Sequence, residues 1–445
     1  MASVRAHLLT IGDELLSGDI VDRNKAWLGK RCRALGIEVV RATTVRDRLD
    51  EVVAAMRAAA DDAQVCLVSG GLGPTTDDLT VESAAAAAGV GLVRHQDLAD
   101  RLEGFFASRG RELVEANLKQ ADLPVGAEVL DNPIGTAAGF ALDLDGREDP
   151  CRLFSMPGVP REMQLMMSEQ IEPRLREQFS LRPVPRRVYR SLGRGESTVQ
   201  QFVAPILEAA RARSPGLANM FVHYRARYPE VQLILEATPG PDGHQATAEE
   251  LASLDAPLAE AWGPALYAVG PDEGPAELDE LLVKALIERG LTIASAESCT
   301  GGGIGFALTN IPGSSATVLG GVIAYANAVK INQLGVPEAA LEAHGAVSEP
   351  VARAMAEGVR ARLGADIGVS TTGVAGPGGG SPEKPVGTVD VAVATADETI
   401  YKRLRIFGRR DTVRYASIRW ALKLVWDRLA IEVVPAPSDT GASSS

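Results

Sequence analysis

In AESCTGGGIG (296–305) an apolar strand pattern runs into Ser298 and Cys299, and three consecutive glycines then precede a helical stretch. A serine at a strand-to-helix turn, followed by glycines, lies beside backbone N–H groups that can stabilise an oxyanion. A phosphate cradle or a plain tight turn needs the same layout, so these readings stay open on the residues alone. Downstream, IPGSSATVLGGVIAYANAVK supplies Ser314, Ser315, Tyr325, Asn327 and Lys330. His344, in HGAVS, is the only histidine of this region, so a Ser–His–Asp triad has thin support. A lysine can replace histidine as the base once its amine is neutral. That requires burial or neighbouring cations to pull its pKa below about 10.4. A tyrosine and a second serine would help relay the proton, whereas an ordinary solvated Lys330 is the competing reading. A third segment, TTGVAGPGGGSPEKPVGTVDV, is too poor in large side chains to build a core. It suits a close-fitting wall over a ribose or phosphate, with Lys384 adding positive charge, or else a flexible surface loop.

The N-terminal part carries a second polar constellation. IGDELLSGDIVDRN holds Asp13, Glu14, Asp19, Asp22 and Asn24, and VSGGLGPTTDDLT holds Ser69, Gly70, Gly71, Thr75, Thr76, Asp77 and Asp78. In the second, a buried-looking strand runs into glycines and then a helix start, which lets backbone amides and the helix dipole approach a phosphate. In open α/β sheets ligands bind beyond the carboxyl ends of the strands, where this loop falls. Asp77 and Asp78 could hold Mg²⁺ or another hard divalent cation; a Gly-Pro turn before an Asp-rich helix start is the plain alternative.

The elements that position these residues fall into three regimes. Residues 1 to about 180 alternate β-rich runs with Ala-rich helical stretches (Asn24–Leu35, Asp50–Ala60, Thr80–Ala88), which predicts an α/β domain with a parallel sheet covered on both faces. LRPVPRR marks a break at 181–187. Residues 184–265 read as strand (RRVYRSLG), helix (Thr198–Ala212), strand (PEVQLILEAT), helix (Thr247–Trp262) and a last strand, a small α+β module. VGPDEGPAEL is a second linker. From about 275 to 430 the chain is α/β again, with a helix Leu278–Arg289, strands LTIASAES, DIGVST and VGTVDVAVAT, and a last helix near Thr412–Leu429. In the third of these strands Val389, Val391 and Val393 alternate with Asp390 and Ala392, which predicts a half-buried strand. The tail 431–445 has no core-forming residue and is expected to be disordered.

With 46% hydrophobic and 23% charged residues, the 445-residue chain reads as globular, and no run reaches the ~18 apolar residues of a membrane span. The N-terminus opens on a strand pattern rather than a signal-peptide layout, and the four cysteines show no CxxC pairing, so a reducing, cytoplasmic setting is expected. A net charge of −13 argues against direct binding to nucleic-acid backbones.

Two sets of motifs resemble the competence/damage-inducible protein A (CinA) family. SGGLGPTTDDLT with TIGDELLSGDIVDRN, NLKQADLP, NPIGTAAGF and MPGVPREM is similar to its N-terminal half, itself related to molybdopterin-binding domains. That resemblance implies a three-layer αβα fold and a metal-dependent ADP-ribose pyrophosphatase. The matching nucleotide positions are Asn24, Ser69, Gly70, Gly71, Thr75, Lys119 and Asn132, with Asp77 and Asp78 on the metal. ESCTGG, PGSS, Y-x-N-x-x-K, GAVS, TGVAGP and KPVGTV, in that order, resemble its C-terminal half, a nicotinamide mononucleotide (NMN) deamidase that uses no metal. This implies Ser298 as nucleophile and Lys330 as base, with Tyr325 and Ser315 in support. Substrate contacts would come from Gly301, Gly302, Asn327, Gly373, Gly376, Pro377, Gly378, Lys384 and Arg414, with Arg409 and Arg410 beside the last. Ala326 and Ala138 depart from the residues common in the family. The resemblance further implies a KH-like middle module, without an evident GxxG clamp, and a homodimer. Two other functions remain open: a molybdopterin-like cofactor-binding protein, or an interaction protein of competence or DNA repair.

Overall fold

HLLTI, in Val4–Ile11 (β1), is buried throughout, with the one polar residue after His7, Thr10, bonding its hydroxyl to Asp22 at 2.8 Å, and β1 becomes an interior strand. A computed structural model describes residues 4–146, 150–238, 240, 244–271, 277–431 and 433. The chain divides into two compact units, Met1–Val184 and Pro185–Ser445.

In the first unit β1, β2 (Ile37–Val45) and β3 (Val65–Ser69) are followed by a short β4 (Leu92–Arg94), β5 (Asp122–Pro124) pair and by β6 (Glu128–Leu130), β7 (Gly139–Leu144) and β8 (Cys151–Met156). The sheet order is β2-β1-β3-β8-β7-β6, parallel through β8 and antiparallel beyond it. Helices Leu49–Asp62 and Thr80–Ala88 pack Val52, Met56 and Ala84 against Leu9 and Val68 on one face. Helices Arg23–Ala34 and Pro160–Met166 pack Leu28, Cys32 and Met163 against Leu8 and Leu67 on the other. This is the three-layer αβα arrangement, and burial on both faces explains why the strands read as continuous apolar runs.

The second unit begins with an antiparallel sheet, β10-β11-β9-β12, built from β9 (Arg186–Leu192), β10 (Met220–Arg227), β11 (Glu230–Ala237) and β12 (Leu266–Gly270). The sequence pattern predicts no strand at β10, whose outer half is polar or charged and exposed, as an edge strand tolerates. The single helix expected over Thr247–Trp262 is two, Ala248–Ala252 and Asp255–Trp262. Pro257 cannot donate to the carbonyl of Ser253, so the first helix stops there. The module ends at Gly270 rather than at residue 265. Residues 272–276 of the expected linker, and all of the tail except 431 and 433, lie outside the described residues.

The C-terminal sheet has the order β14-β13-β15-β16-β17, from β13 (Ile293–Glu297), β14 (Val318–Ile323), β15 (Ile367–Gly373), β16 (Thr388–Ala394) and β17 (Thr399–Arg405). The first three strands are parallel and the last two antiparallel. Helices Leu278–Glu288 and Arg410–Arg428 cover one face, and Glu349–Leu363 the other. The half-buried strand expected over Val389–Val393 is corrected: every residue of β16 is buried. Asp390 survives there because Arg403 binds both its carboxylate oxygens, at 2.7 and 3.0 Å, and the Tyr401 hydroxyl donates at 2.6 Å.

Candidate functional site

Ser298 comes directly after β13, at the carboxyl end of the parallel strands, and its amide donates to the Thr371 carbonyl of β15 at 2.9 Å. The Thr300 and Thr371 hydroxyls meet at 2.7 Å, a second tie between the turn and the sheet. Gly301 and Gly302 have φ of 60° and 89°, in the left-handed region that glycine adopts without penalty. They reverse the chain into helix Gly303–Thr309. Among the described residues the amides of Gly301 and Gly302 find no acceptor.

Glu297, the last residue of β13 and 1% exposed, decides between two readings of this turn. Its carboxylate accepts the amides of Ile304 and Gly305 at 3.0 and 2.9 Å and the Ser295 hydroxyl at 3.1 Å. The start of the helix is therefore already satisfied by an anion. A substrate phosphate placed there would face a buried negative charge, so the phosphate-cradle reading of the turn is set aside.

Lys330 lies in the first turn of helix Asn327–Leu334 and is 1% exposed. Its Nζ is 2.8 Å from the Ala324 carbonyl, 3.2 Å from the Tyr325 carbonyl and 3.3 Å from the Ser298 hydroxyl. No carboxylate pairs with it among the described residues. Burial pulls its pKa below the ordinary lysine value, opposed by the Cys299 thiol. A neutral amine has two hydrogens and one lone pair. Two carbonyls, which only accept, and one hydroxyl, which can donate, match that inventory. Cys299 is a different case: burial first, and Glu297 nearby, push its thiol up to about 12, so it stays protonated and packs.

A cavity of about 200 Å³ opens on this pair, lined by Ser298, Cys299, Tyr325, Asn327, Lys330, Ala346, Val347, Thr372, Gly373, Ala375 and Arg410. Of the expected site residues, Ser298, Lys330, Tyr325, Asn327 and Gly373 meet there. Tyr325 is 62% exposed and acts through two groups: its carbonyl holds Lys330 and its hydroxyl accepts from Arg410 at 3.3 Å. Arg410 also donates to the Gly376 carbonyl at 2.8 Å, which ties the Gly376–Pro377–Gly378 loop to the cavity rim.

Other expected residues do not join the cavity. Ser315 is exposed in the short turn Ser314–Ala316, before β14 begins, at the opposite end of the parallel strands from Ser298. Arg414 donates to the Thr300 carbonyl at 2.8 Å and so braces the turn. Lys384 donates to the His344 carbonyl at 2.6 Å and closes its own loop. Sequence reasoning singles out none of Glu297, Thr372, Ala346, Val347 and Ala375, although the motifs ESCTGG, GAVS and TGVAGP contain them. Of these only Glu297 stands out by residue type, a lone carboxylate at the end of an apolar strand.

In the first unit a cavity of about 520 Å³ lies at the carboxyl ends of β1 and β3, lined in part by Thr10, Glu14, Asp19, Asp22, Asn24, Ser69, Gly70 and Gly158. Asn24 donates to the Ser69 hydroxyl at 3.0 Å and the Gly158 carbonyl at 2.7 Å. Gly71 packs on Thr80, with no room for a Cβ. Thr75 donates its amide and hydroxyl to Asp78 at 2.9 and 2.5 Å, while Lys119 reaches Glu82 at 3.0 Å and the Asp78 carbonyl. Asn132 is buried and donates to Glu162 at 2.8 Å. Asn24, Ser69 and Gly70 line the cavity; Gly71, Thr75, Lys119, Asn132, Asp77 and Asp78 stand outside its lining.

Residues 275–429 match the family model "CinA C-terminal domain", and residues 7–177 match "Probable molybdopterin binding domain". A CinA-like protein of Anaeromyxobacter dehalogenans is 42% identical over 435 residues, covering 96% of this chain and 100% of its own. The nicotinamide-nucleotide amidohydrolase PncC of Shewanella oneidensis is 38% identical over 433 residues, 97% of each chain. Among solved structures, the competence/damage inducible protein CihA of Agrobacterium tumefaciens is 41% identical over 34% of this chain and 96% of its own, with a TM-score of 0.33. With full-length relatives at this identity and a family model on each half, the chain belongs to the CinA family.

Proposed function

We propose that the C-terminal site hydrolyses NMN to nicotinic acid mononucleotide and ammonia, with Ser298 as nucleophile and Lys330 as general base. The observation that carries this reading is the buried Lys330 amine, 3.3 Å from the Ser298 hydroxyl and, among the described residues, with no carboxylate to hold it charged. The activity for which the Shewanella relative is named points to the same substrate class. Lys330 takes the hydroxyl proton as Ser298 Oγ bonds to the carboxamide carbon. The amides of Gly301 and Gly302 are the donors for the developing oxyanion. The protonated Lys330 then passes its proton to the departing nitrogen, the C–N bond breaks, and ammonia leaves an acyl-serine. A water gives one proton to Lys330 as its oxygen bonds to the ester carbon; the C–O bond to Ser298 breaks, Lys330 returns that proton to Ser298 Oγ, and the released carboxylic acid loses its own proton to solvent or to the ammonia. A cavity of about 200 Å³ takes the pyridine ring, leaving ribose and phosphate toward exposed Tyr325 and Arg410. The test is ammonia release from NMN by the purified chain without added metal. Ser298→Ala abolishes it, and wild-type rates in both Ser298→Ala and Lys330→Ala refute the assignment.

For the first unit we propose a metal-dependent ADP-ribose pyrophosphatase, on the cavity at the strand ends that Asn24, Ser69 and Gly70 line. Thr75 occupies one oxygen of Asp78, and among the described residues no group of three or more His, Cys, Asp or Glu side chains could hold an ion. Asp77 and Asp78 thus fit a divalent cation only with phosphate oxygens and water filling its shell, the usual manner of Mg²⁺. The cation would neutralise pyrophosphate charge, and the protein residues would bind and orient the nucleotide. Cleavage of ADP-ribose in EDTA at the full rate refutes this reading. A homodimer and a cytoplasmic setting complete the proposal; no described helix is long and apolar enough to cross a membrane.

A further inference from the structure

The helix Arg410–Arg428 presents two stripes of residues spaced four apart, each on its own face. On one stripe Arg410 bonds the Tyr325 hydroxyl and the Gly376 carbonyl, and Arg414 bonds the Thr300 carbonyl. Ile418, next on that stripe, packs so close to Gly303 that a Cβ there would lie 2.3 Å from its Cδ1. This stripe grips the nucleophile turn. The other stripe, Tyr415, Arg419 and Lys423, is held by the four-stranded module.

Glu230, the first residue of β11, is the centre of that second grip. Its Oε1 accepts from Arg419 at 2.7 Å and from the Tyr267 hydroxyl of β12 at 2.6 Å, and its Oε2 from the Tyr415 hydroxyl at 2.9 Å. Arg419 is 4% exposed and also lies 3.3 Å from Asp279 of helix Leu278–Glu288. Lys423 donates to the Pro264 carbonyl at 2.6 Å, and Arg227 stacks 4.1 Å over the Tyr415 ring. A buried charge network of this kind is costly to desolvate and adds little net stability, but it fixes geometry, because each charge has only one well-paired arrangement. Glu230 is absent from the cavity lining, and its carboxylate is taken up by Arg419, Tyr267 and Tyr415. Along the helix, Arg419 is about 13.5 Å from Arg410, nine residues at ~1.5 Å each.

We propose that the four-stranded module is a clamp on helix Arg410–Arg428, with Glu230 a positioning residue that seats Arg414 against the nucleophile turn. In its link to rate, this inference rests on the amidase reading. The module supplies the far anchor of the helix whose near end closes the active site.

The test uses the full-length chain with Glu230→Gln, Arg414→Gln and the double variant, probed by amide hydrogen exchange and by ammonia release from NMN. Glu230→Gln keeps the shape but replaces an acceptor with an amide NH₂ that faces donors. It is expected to speed exchange at 299–305 and 413–418 and to lower kcat/KM about tenfold, with kcat carrying most of the loss. The double variant is expected to lose no more than Arg414→Gln alone, since both act through one contact. Tyr415→Phe, which removes a single hydrogen bond, gives the same pattern at about threefold if Glu230→Gln does not fold. Faster exchange confined to 228–231 and 415–420 with unchanged kcat/KM overturns the clamp, as do additive losses in the double variant. If the wild-type chain releases no ammonia from NMN, the amidase reading fails by itself, and the exchange pattern still decides the clamp.

Discussion

Replacing Lys330 with Met tests the amidase chemistry at its narrowest point. The substitution keeps a long unbranched side chain in a site where Lys330 is 1% exposed, and removes the amine. A positioned general base is worth about 10²–10⁴ in rate, or roughly 2.7–5.4 kcal/mol at ~1.36 kcal/mol per decade. The carbonyls of Ala324 and Tyr325 lose their partner, at a cost to stability of about 1–3 kcal/mol for a carbonyl that stays dry. The desolvation of the amine disappears with it, so a folded variant is expected. The assay is ammonia release from NMN across pH 5–9. In the wild type the neutral amine is the active form, so kcat/KM rises with pH through the pKa of Lys330. Burial lowers that pKa, which places the rise below the ordinary lysine range. In Lys330→Met the rate falls by at least a hundredfold and that rise vanishes. A variant that keeps a tenth of wild-type kcat/KM, or an unchanged pH profile, refutes the base assignment.

Glu297→Gln places an amide NH₂ against the N–H groups of Ile304 or Gly305, so the nucleophile turn loosens; kcat is expected to drop by about 10²–10³, the range for one lost oxyanion donor, with KM nearly unchanged. All four cysteines are buried, and burial raises the pKa of Cys32, Cys151 and Cys299 to about 12. Treating the native chain with iodoacetamide at pH 7.5 is therefore expected to leave ammonia release intact, and rapid inactivation would revive a thiol nucleophile. Asn24→Ala removes two hydrogen bonds at the first unit's cavity. It is expected to lower ADP-ribose cleavage at least tenfold without touching NMN hydrolysis, and a parallel loss of both activities speaks against two separate sites.

How far the sequence reaches depends on whether a feature is local. Ser298 and Lys330 are legible because a glycine-flanked serine after an apolar run and a lysine beside Tyr325 are local patterns, fixed by motif order. Their meeting across 32 residues needs the fold, since it depends on β13 pairing with both β14 and β15. Ser315 shows the reverse error. Its motif stands in the expected order, yet β14 runs parallel to β13, so the turn before it must lie at the amino ends of the strands. Lys384 and Arg414 stand outside the cavity lining for another reason: a long cation has many reachable acceptors, and here backbone carbonyls of His344 and Thr300 take them. Asp390 reads as solvent-facing when alternation is the only guide. Its partners Tyr401 and Arg403 sit on β17, an edge strand whose Lys402, Arg403 and Arg405 leave it without an apolar alternation to read.

Both halves solve the same placement problem with the same device. In the first unit Thr10 and Ser69, near the ends of β1 and β3, bring polar groups to one edge of a parallel sheet, and Gly70 leaves the backbone bare beside them. In the C-terminal sheet Glu297, Ser298 and Gly373 do so at the ends of β13 and β15. The two edges differ in the turn that leaves the strand. After β3, Gly70 borders a wide cavity of about 520 Å³ whose lining mixes Ile11, Leu15, Ile20 and Val21 with the carboxylates of Glu14, Asp19 and Asp22, the space into which the proposed diphosphate would have to bring a counter-charge. After β13 the helix start is spent on the Glu297 carboxylate, which excludes a second anion and leaves the turn to hold a neutral carboxamide in about 200 Å³. On the functions proposed, the Glu297 carboxylate on the helix-start amides is what separates the amide site from the diphosphate site. On this argument Glu297→Ala, by freeing two amides of the helix start, should lower amidase activity and at the same time admit inorganic phosphate as an inhibitor competitive with NMN. Unchanged inhibition by phosphate in that variant would show that charge at the helix start is not what sets the choice.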